Sequence, residues 1–132
     1  SFPTIIHPSA LISEFVTVGE GTSIHAGVII PPDSEIGNFV CIHTGSQIGH
    51  DCKIKDFVSI MSGVNVSGDI IIEKGAYIAS GAAVRDDIKI GKWSIIGIGS
   101  AIGSDVKPYS IYLGNPGIFI RKIEDEKKRP KL

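Results

Sequence analysis

Every sixth residue from Ile6 to Ile102 is isoleucine or valine, running Ile6, Ile12, Val18, Ile24, Ile30, Ile36 and onward through Ile90, Ile96 and Ile102, seventeen positions without a slip. Four residues after these stand small or β-branched side chains, as at Val16, Thr22, Val28, Ser46, Cys52, Ala76, Ala82 and Ser100. A helical period near 3.6 cannot hold every sixth residue on one face, whereas a strand that turns sharply every six residues can. The pattern predicts a prism with three short strands per coil and 18 residues per turn, the signature of a repeat architecture.

Residues 18 apart then stack in columns, and the sequence bears out that consequence. One corner carries Gly27, Gly45, Gly63, Gly81 and Gly99, a second Asp33, Asp51, Asp69, Asp87 and Asp105, and a third mixes Gly21 and Gly75 with Phe39, Phe57 and Trp93. Glycine and aspartate are among the few residues that tolerate the positive φ of a tight corner. Six coils spaced at about 4.8 Å make a rod roughly 25–30 Å long. The expected organisation is one domain, with the β-helix over 1–107 and a cap and tail over 108–132, where the period breaks and a short helix is expected near Ile118 to Lys128. Capping answers the need to cover the exposed strand edges at the end of a stack.

Composition narrows the partners. The 132 residues carry a formal charge of −1, which offers no electrostatic case for nucleic acid or an anionic membrane. Basic residues gather late, at Lys127, Lys128, Arg129 and Lys131, as a solvated tail would. No apolar run reaches the ~18 residues of a membrane span, and no signal peptide is expected at Ser1. Two cysteines without disulfide-rich spacing point to a reducing cytoplasm.

The hexad, isoleucine or valine followed often by glycine and later by a small residue, resembles the hexapeptide-repeat acyltransferases. That resemblance implies a left-handed parallel β-helix, a handedness that periodicity alone does not give and that runs against the usual right-handed crossover. Three segments narrow it: "IIHPSALI", "IGHDCKIKDFVSIMSGVNVSGDIIIEKGAYIASGAAV" and "LGNPG". They resemble the sialic acid O-acetyltransferases and the bacillosamine-type nucleotide-sugar N-acetyltransferases, in their C-terminal β-helix domain. By that likeness acetyl-CoA is the co-substrate, held between subunits of a homotrimer, and the acceptor is a sugar or nucleotide sugar. The general base is His50, followed by the acidic Asp51, while Ser59, Ser80 and Ile98 contact acetyl-CoA and Gly68 stands opposite the thioester. Many relatives carry a histidine at Ser59, where a serine hydroxyl can still donate a hydrogen bond. The family also has an N-terminal domain that binds the sugar nucleotide, and this chain begins at the expected junction.

The residues themselves support part of this assignment. Ser62, Ser80 and Ile98 are spaced by 18 beside the glycine corner, so an extended pantetheine arm along the axis would meet them in succession. A neutral imidazole at His50 can take a proton near pH 7, and Asp51 both suits its corner and can orient the ring. His7, His25 and His43 also share a column. They read as a polar ladder rather than a metal site, with His43 lining the acceptor pocket and no metal expected. Cys52 falls at an inward small position and reads as core, and Cys41 points outward. Phe39, Phe57 and Trp93 are expected to pack between subunits, and Lys92, Lys107 and Arg121 to meet CoA phosphates.

The sequence thus predicts an acetyl-CoA-dependent acetyltransferase acting on a bacterial sugar, most of all the amine of a nucleotide-linked amino sugar. Two alternatives stay open: a zinc hydratase like the γ-type carbonic anhydrases, whose paired histidines lie closer together than His43 and His50, and a structural rod without catalysis.

Overall fold

The computed structural model describes residues 1–123, and they form an all-β, left-handed parallel β-helix. Seventeen two-residue strands sit at the hexads, from Ile5–Ile6 to Ala101–Ile102, and sort into three flat faces. The first face stacks Ile5–Ile6, Ser23–Ile24, Cys41–Ile42, Ser59–Ile60, Tyr77–Ile78 and Ile95–Ile96. The second runs from Leu11–Ile12 through Gln47–Ile48 to Ala101–Ile102, and the third from Thr17–Val18 through Lys53–Ile54 to Lys89–Ile90. All neighbours within these stacks are parallel, and in each register a residue meets the one 18 positions away, such as Ser59 with Cys41 and Tyr77.

The period dictates the core. The second residue of each strand is the hexad isoleucine or valine, and from Ile24 to Ile102 every one is buried. Burying such a side chain contributes roughly 1.5–3 kcal/mol. At the N-terminal end no described residue covers the stack, and Ile6 is exposed while Ile12 and Val18 are only half-buried.

Buried hydroxyls join successive coils. Ser46 Oγ donates to Met61 O (2.6 Å) and accepts from Val64 N–H (3.1 Å), which ties it to the coil above. Thr22 and Ser34 repeat the same pair of bonds with Gly37 and Val40 and with Gly49 and Cys52. Each supplies an acceptor to a buried backbone N–H, at Val40, Cys52 and Val64, that needs a partner.

The corners need the left-handed backbone. Positive φ occurs at Asp33, Asp51, Asp69 and Asp87, at the glycines of the first column, and at Phe39, Phe57, Trp93 and Tyr109. The aromatic corner residues do not merely await a partner chain. Phe39 stacks on Phe57, with ring centroids 5.4 Å apart, and also lies over Gly21, while the Trp93 ring lies over Gly75 where any Cβ would collide with it. They pack along their own corner.

The cap departs from expectation. Ile95–Ile96 pairs in parallel with Ser110–Leu113, and Ile118–Lys122 returns antiparallel against that strand, so the region expected to begin a helix at Ile118 is a strand. Ile118, Phe119 and Ile120 are strand-favouring residues beside an open edge, and the edge supplies hydrogen-bond partners that a helix would forgo. Residues 124–128 of the expected helix lie outside the described residues. The last coil is also two residues short: Val106 bridges Ile90, and Ile111 meets Ile95. Asp105 therefore leaves the corner conformation of its column, and its Oδ1 instead accepts the Lys89 N–H.

Candidate active site

His50 stands just before the corner that joins the second face to the third. Its position is fixed by the ladder to the coils above: the His50 carbonyl accepts Asp69 N–H (2.9 Å), and the Gly68 carbonyl accepts Asp87 N–H (3.1 Å). The side chain is largely exposed. Its Nδ1 lies 3.0 Å from Asp51 Oδ2, an ion pair when the ring is protonated. The positive φ of Asp51, +54°, belongs to the turn that sets its carboxylate beside the ring. Corner residue and hydrogen-bond partner are thus one residue.

Gly68 lies one coil above His50, and the imidazole lies across it. A methyl group added at Gly68 would stand 2.5 Å from Nε2 and 2.7 Å from Cε1. Asp69, one coil above Asp51, brings a second carboxylate, with one donor atom from each of His50, Asp51 and Asp69 within 4.8 Å of the others. The His50 pKa is raised above its ordinary value, first by the hydrogen bond with Asp51 and then by the charge of Asp69. With Nδ1 engaged, Nε2 is the nitrogen left to take a proton. Asp69 is the member that the sequence reading did not assign, although its 18-residue spacing from Asp51 marks it.

Ser80 and Ile98 occupy the glycine corner, between the first and second faces, and both are exposed. The Ser80 carbonyl accepts Gly99 N–H (3.0 Å), which keeps the column in line. A Cβ at Gly63 or Gly99 would meet nothing within 4 Å, so this corner is open to an approaching ligand. Ser59 points out from the first face, half-buried between Cys41 and Tyr77. Within one chain these residues do not meet His50. The second face intervenes, roughly 15–20 Å of extended chain.

His43 also lies on the first face. Its ring stacks on His25, with centroids 4.5 Å apart, and burial followed by the neighbouring His25 charge lowers its pKa. The expected three-histidine ladder is a stack of two, because His7 is engaged with Ser9, whose N–H donates to its Nδ1 (3.0 Å). Cys41 contacts both stacked rings, a cluster that the sequence reading did not find. Cys52 is fully buried, its thiol donates to Ser67 O (3.1 Å), and burial pushes its pKa up, as a core residue requires. Lys92 and Lys107 line a cleft near the cap together with Lys89, Glu73 and Asp105, whereas Arg121 lies on the last strand outside that lining.

No family model and no curated protein matches the chain. Solved structures do. A mutant of perosamine N-acetyltransferase from Caulobacter crescentus, with asparagine in place of a histidine and in complex with CoA and GDP-perosamine, is 30% identical with a TM-score of 0.91, over 92% of this chain and 58% of that one. The acetyltransferase domain of PglB from Neisseria gonorrhoeae, in complex with acetyl coenzyme A, is 28% identical with a TM-score of 0.89, over 90% of this chain and 58% of that one. WeeI from Acinetobacter baumannii is 30% identical with a TM-score of 0.79, over 89% of this chain and 55% of that one. The chain therefore spans less than two thirds of the length of these structures.

Proposed function

Because the chain belongs to the hexapeptide-repeat acetyltransferases of the nucleotide-sugar kind, we propose that it transfers the acetyl group of acetyl-CoA to the amine of a nucleotide-linked amino sugar. The observation that carries this reading is the His50 arrangement, with Nδ1 engaged by Asp51 and Nε2 left over Gly68. The sugar nitrogen attacks the thioester carbon, and Nε2 takes the proton that the tetrahedral intermediate must lose. The intermediate collapses with cleavage of the carbon–sulfur bond, and the proton passes from His50 to the departing CoA sulfur. Asp51 orients the ring and favours the imidazolium formed in the first half of this cycle.

Gly68 faces the thioester, and its amide N–H makes no hydrogen bond among the described residues, which leaves it as a donor for the oxyanion. Ser59 holds the acetyl carbonyl, and Ser80 and Ile98 line the pantetheine arm along the open glycine corner. His43 lines the acceptor pocket. These residues belong to two halves of a site that one chain keeps apart, so a neighbouring copy must supply the missing half. A homotrimer with acetyl-CoA in the groove between chains does so. No helix among the described residues is long and apolar enough to cross a membrane, and the two unpaired cysteines suit a reducing cytoplasm.

The test is acetyl-CoA binding by titration calorimetry with the unmodified chain and with Ser80→Trp. Saturable binding of about one ligand per chain, lost in the variant, supports the reading. A ligand at 100 times its Kd also raises stability by ~2.7 kcal/mol. Absence of binding by the folded assembly would overturn it.

A further inference from the structure

On the first face, three metal-ligating side chains converge away from His50. Cys41 Sγ lies 3.1 Å from His43 Nε2 and 3.8 Å from His25 Nε2, and one donor atom from each residue lies within 4.8 Å of the others. All three residues are half-buried. A cation held tetrahedrally at about 2.3 Å from sulfur and about 2.1 Å from nitrogen needs a sulfur–nitrogen separation of about 3.6 Å. That value falls between the two observed separations. One thiolate with two imidazoles is a donor set for zinc and its soft or borderline neighbours, and no carboxylate is among the three to favour calcium or magnesium.

We propose that His25, Cys41 and His43 bind one zinc-like divalent cation, with the fourth position open to water or an added ligand. The backbone holds the three residues in place before any ion arrives. The backbone N–H of His25 donates to Ile42 O (2.9 Å), that of His43 to Ile60 O (2.8 Å), and the strand of Cys41 is paired on both sides. The two stacked rings must turn about their side-chain torsions so that both Nε2 lone pairs meet one ion. Ser23 Oγ donates to Cys41 Sγ (3.3 Å), a bond that survives when the thiol gives up its proton to become a ligand. The ion would join the coils that carry His25 and His43. The site shares the first face with Ser59 and His43 of the acyl-transfer reading, but cation binding is read without acetyl-CoA, so the two readings fail separately.

The experiment uses the whole chain, reduced and stripped with a chelator, and titrates it with Co2+ alone while recording the absorption spectrum. One equivalent should produce a sulfur-to-cobalt charge-transfer band in the near ultraviolet and the intense visible bands of a tetrahedral site, and Zn2+ should displace both. Cys41→Ser should abolish the charge-transfer band. His25→Gln and His43→Gln should each weaken Co2+ binding by more than the roughly 10–100-fold that loss of an outer partner costs. His50→Ala should leave the titration unchanged. A silent spectrum at saturating Co2+, a charge-transfer band that persists in Cys41→Ser, or binding lost in His50→Ala would each overturn the proposal. The last would place the ion at the exposed His50, Asp51 and Asp69 group instead. Should Cys41→Ser fail to fold, the histidine variants decide, because unchanged affinity in both refutes the site.

Discussion

The imidazole of His50 rests across Gly68, eighteen residues later in sequence and one coil along the axis, so close that a methyl group there would stand 2.5 Å from Nε2. Gly68 lies outside the positive-φ corner positions, so its small size and not its backbone freedom is what the neighbour requires. Gly68→Ala should therefore push the ring out of place while the coil survives. A displacement of about 1 Å can cost about 100-fold in rate. We expect acetyl transfer to fall by that order, with the melting temperature little changed. Full activity in the alanine variant would refute the placement of the base.

The raised pKa of His50 predicts a pH profile. The ring works as a base only when neutral, so the acidic limb of kcat/KM should lie above the ordinary histidine value of 6.5. Its largest cause is the hydrogen bond with Asp51, followed by the charge of Asp69. Asp51→Asn should move the limb to lower pH, and Asp69→Asn should move it the same way by less. A limb that stays fixed in Asp51→Asn would mean that another group is titrating.

The imidazole itself is tested by His50→Ala. General-base catalysis contributes roughly 10²–10⁴-fold, and kcat should fall within that range. Acetyl-CoA binding, measured by calorimetry, should persist, because Ser59, Ser80 and Ile98 lie on the other half of the site. An unchanged kcat would mean that another group takes the proton and that His50 is only a residue beside a corner.

The buried hydroxyls have a stability signature. Ser46→Ala removes one donor and one acceptor from a fully buried position and leaves Met61 O and Val64 N–H without that partner. An unsatisfied buried group costs about 1–3 kcal/mol. Denaturant unfolding should show a loss of at least that order, and a variant as stable as the parent would show that the bridges are redundant.

At Gly75 both backbone and space restrict substitution. Its φ is +72°, and the Trp93 ring occupies the place of a side chain. The left-handed conformation alone costs roughly 1–2 kcal/mol for a residue with a Cβ. Gly75→Ala should be destabilised beyond that, and adding Trp93→Ala should relieve the collision but not the backbone cost. Equal unfolding midpoints for Gly75→Ala and the parent would refute both arguments.

Local chemistry made much of this legible. A six-residue period with isoleucine or valine at every step leaves a triangular prism as the arrangement that buries them all, and columns at 18 residues follow arithmetically. His50 and Asp51 are adjacent in the chain, so their pairing needed only a corner. What lay beyond the sequence depended on contacts across coils or on competition for partners. The ring of His50 over Gly68, the charge of Asp69, and Cys41 beside two stacked histidines arise from side-chain directions that spacing does not give. The segment from Ile118 became a strand because Ser110–Leu113 offered an open hydrogen-bonding edge, and no local propensity states whether such an edge is available. The sequence by itself determined the prism, its columns and the neighbour of its candidate base. Tertiary structure decided which columns face one another, because hydrogen bonds and side-chain contacts between coils are made by residues distant in the chain.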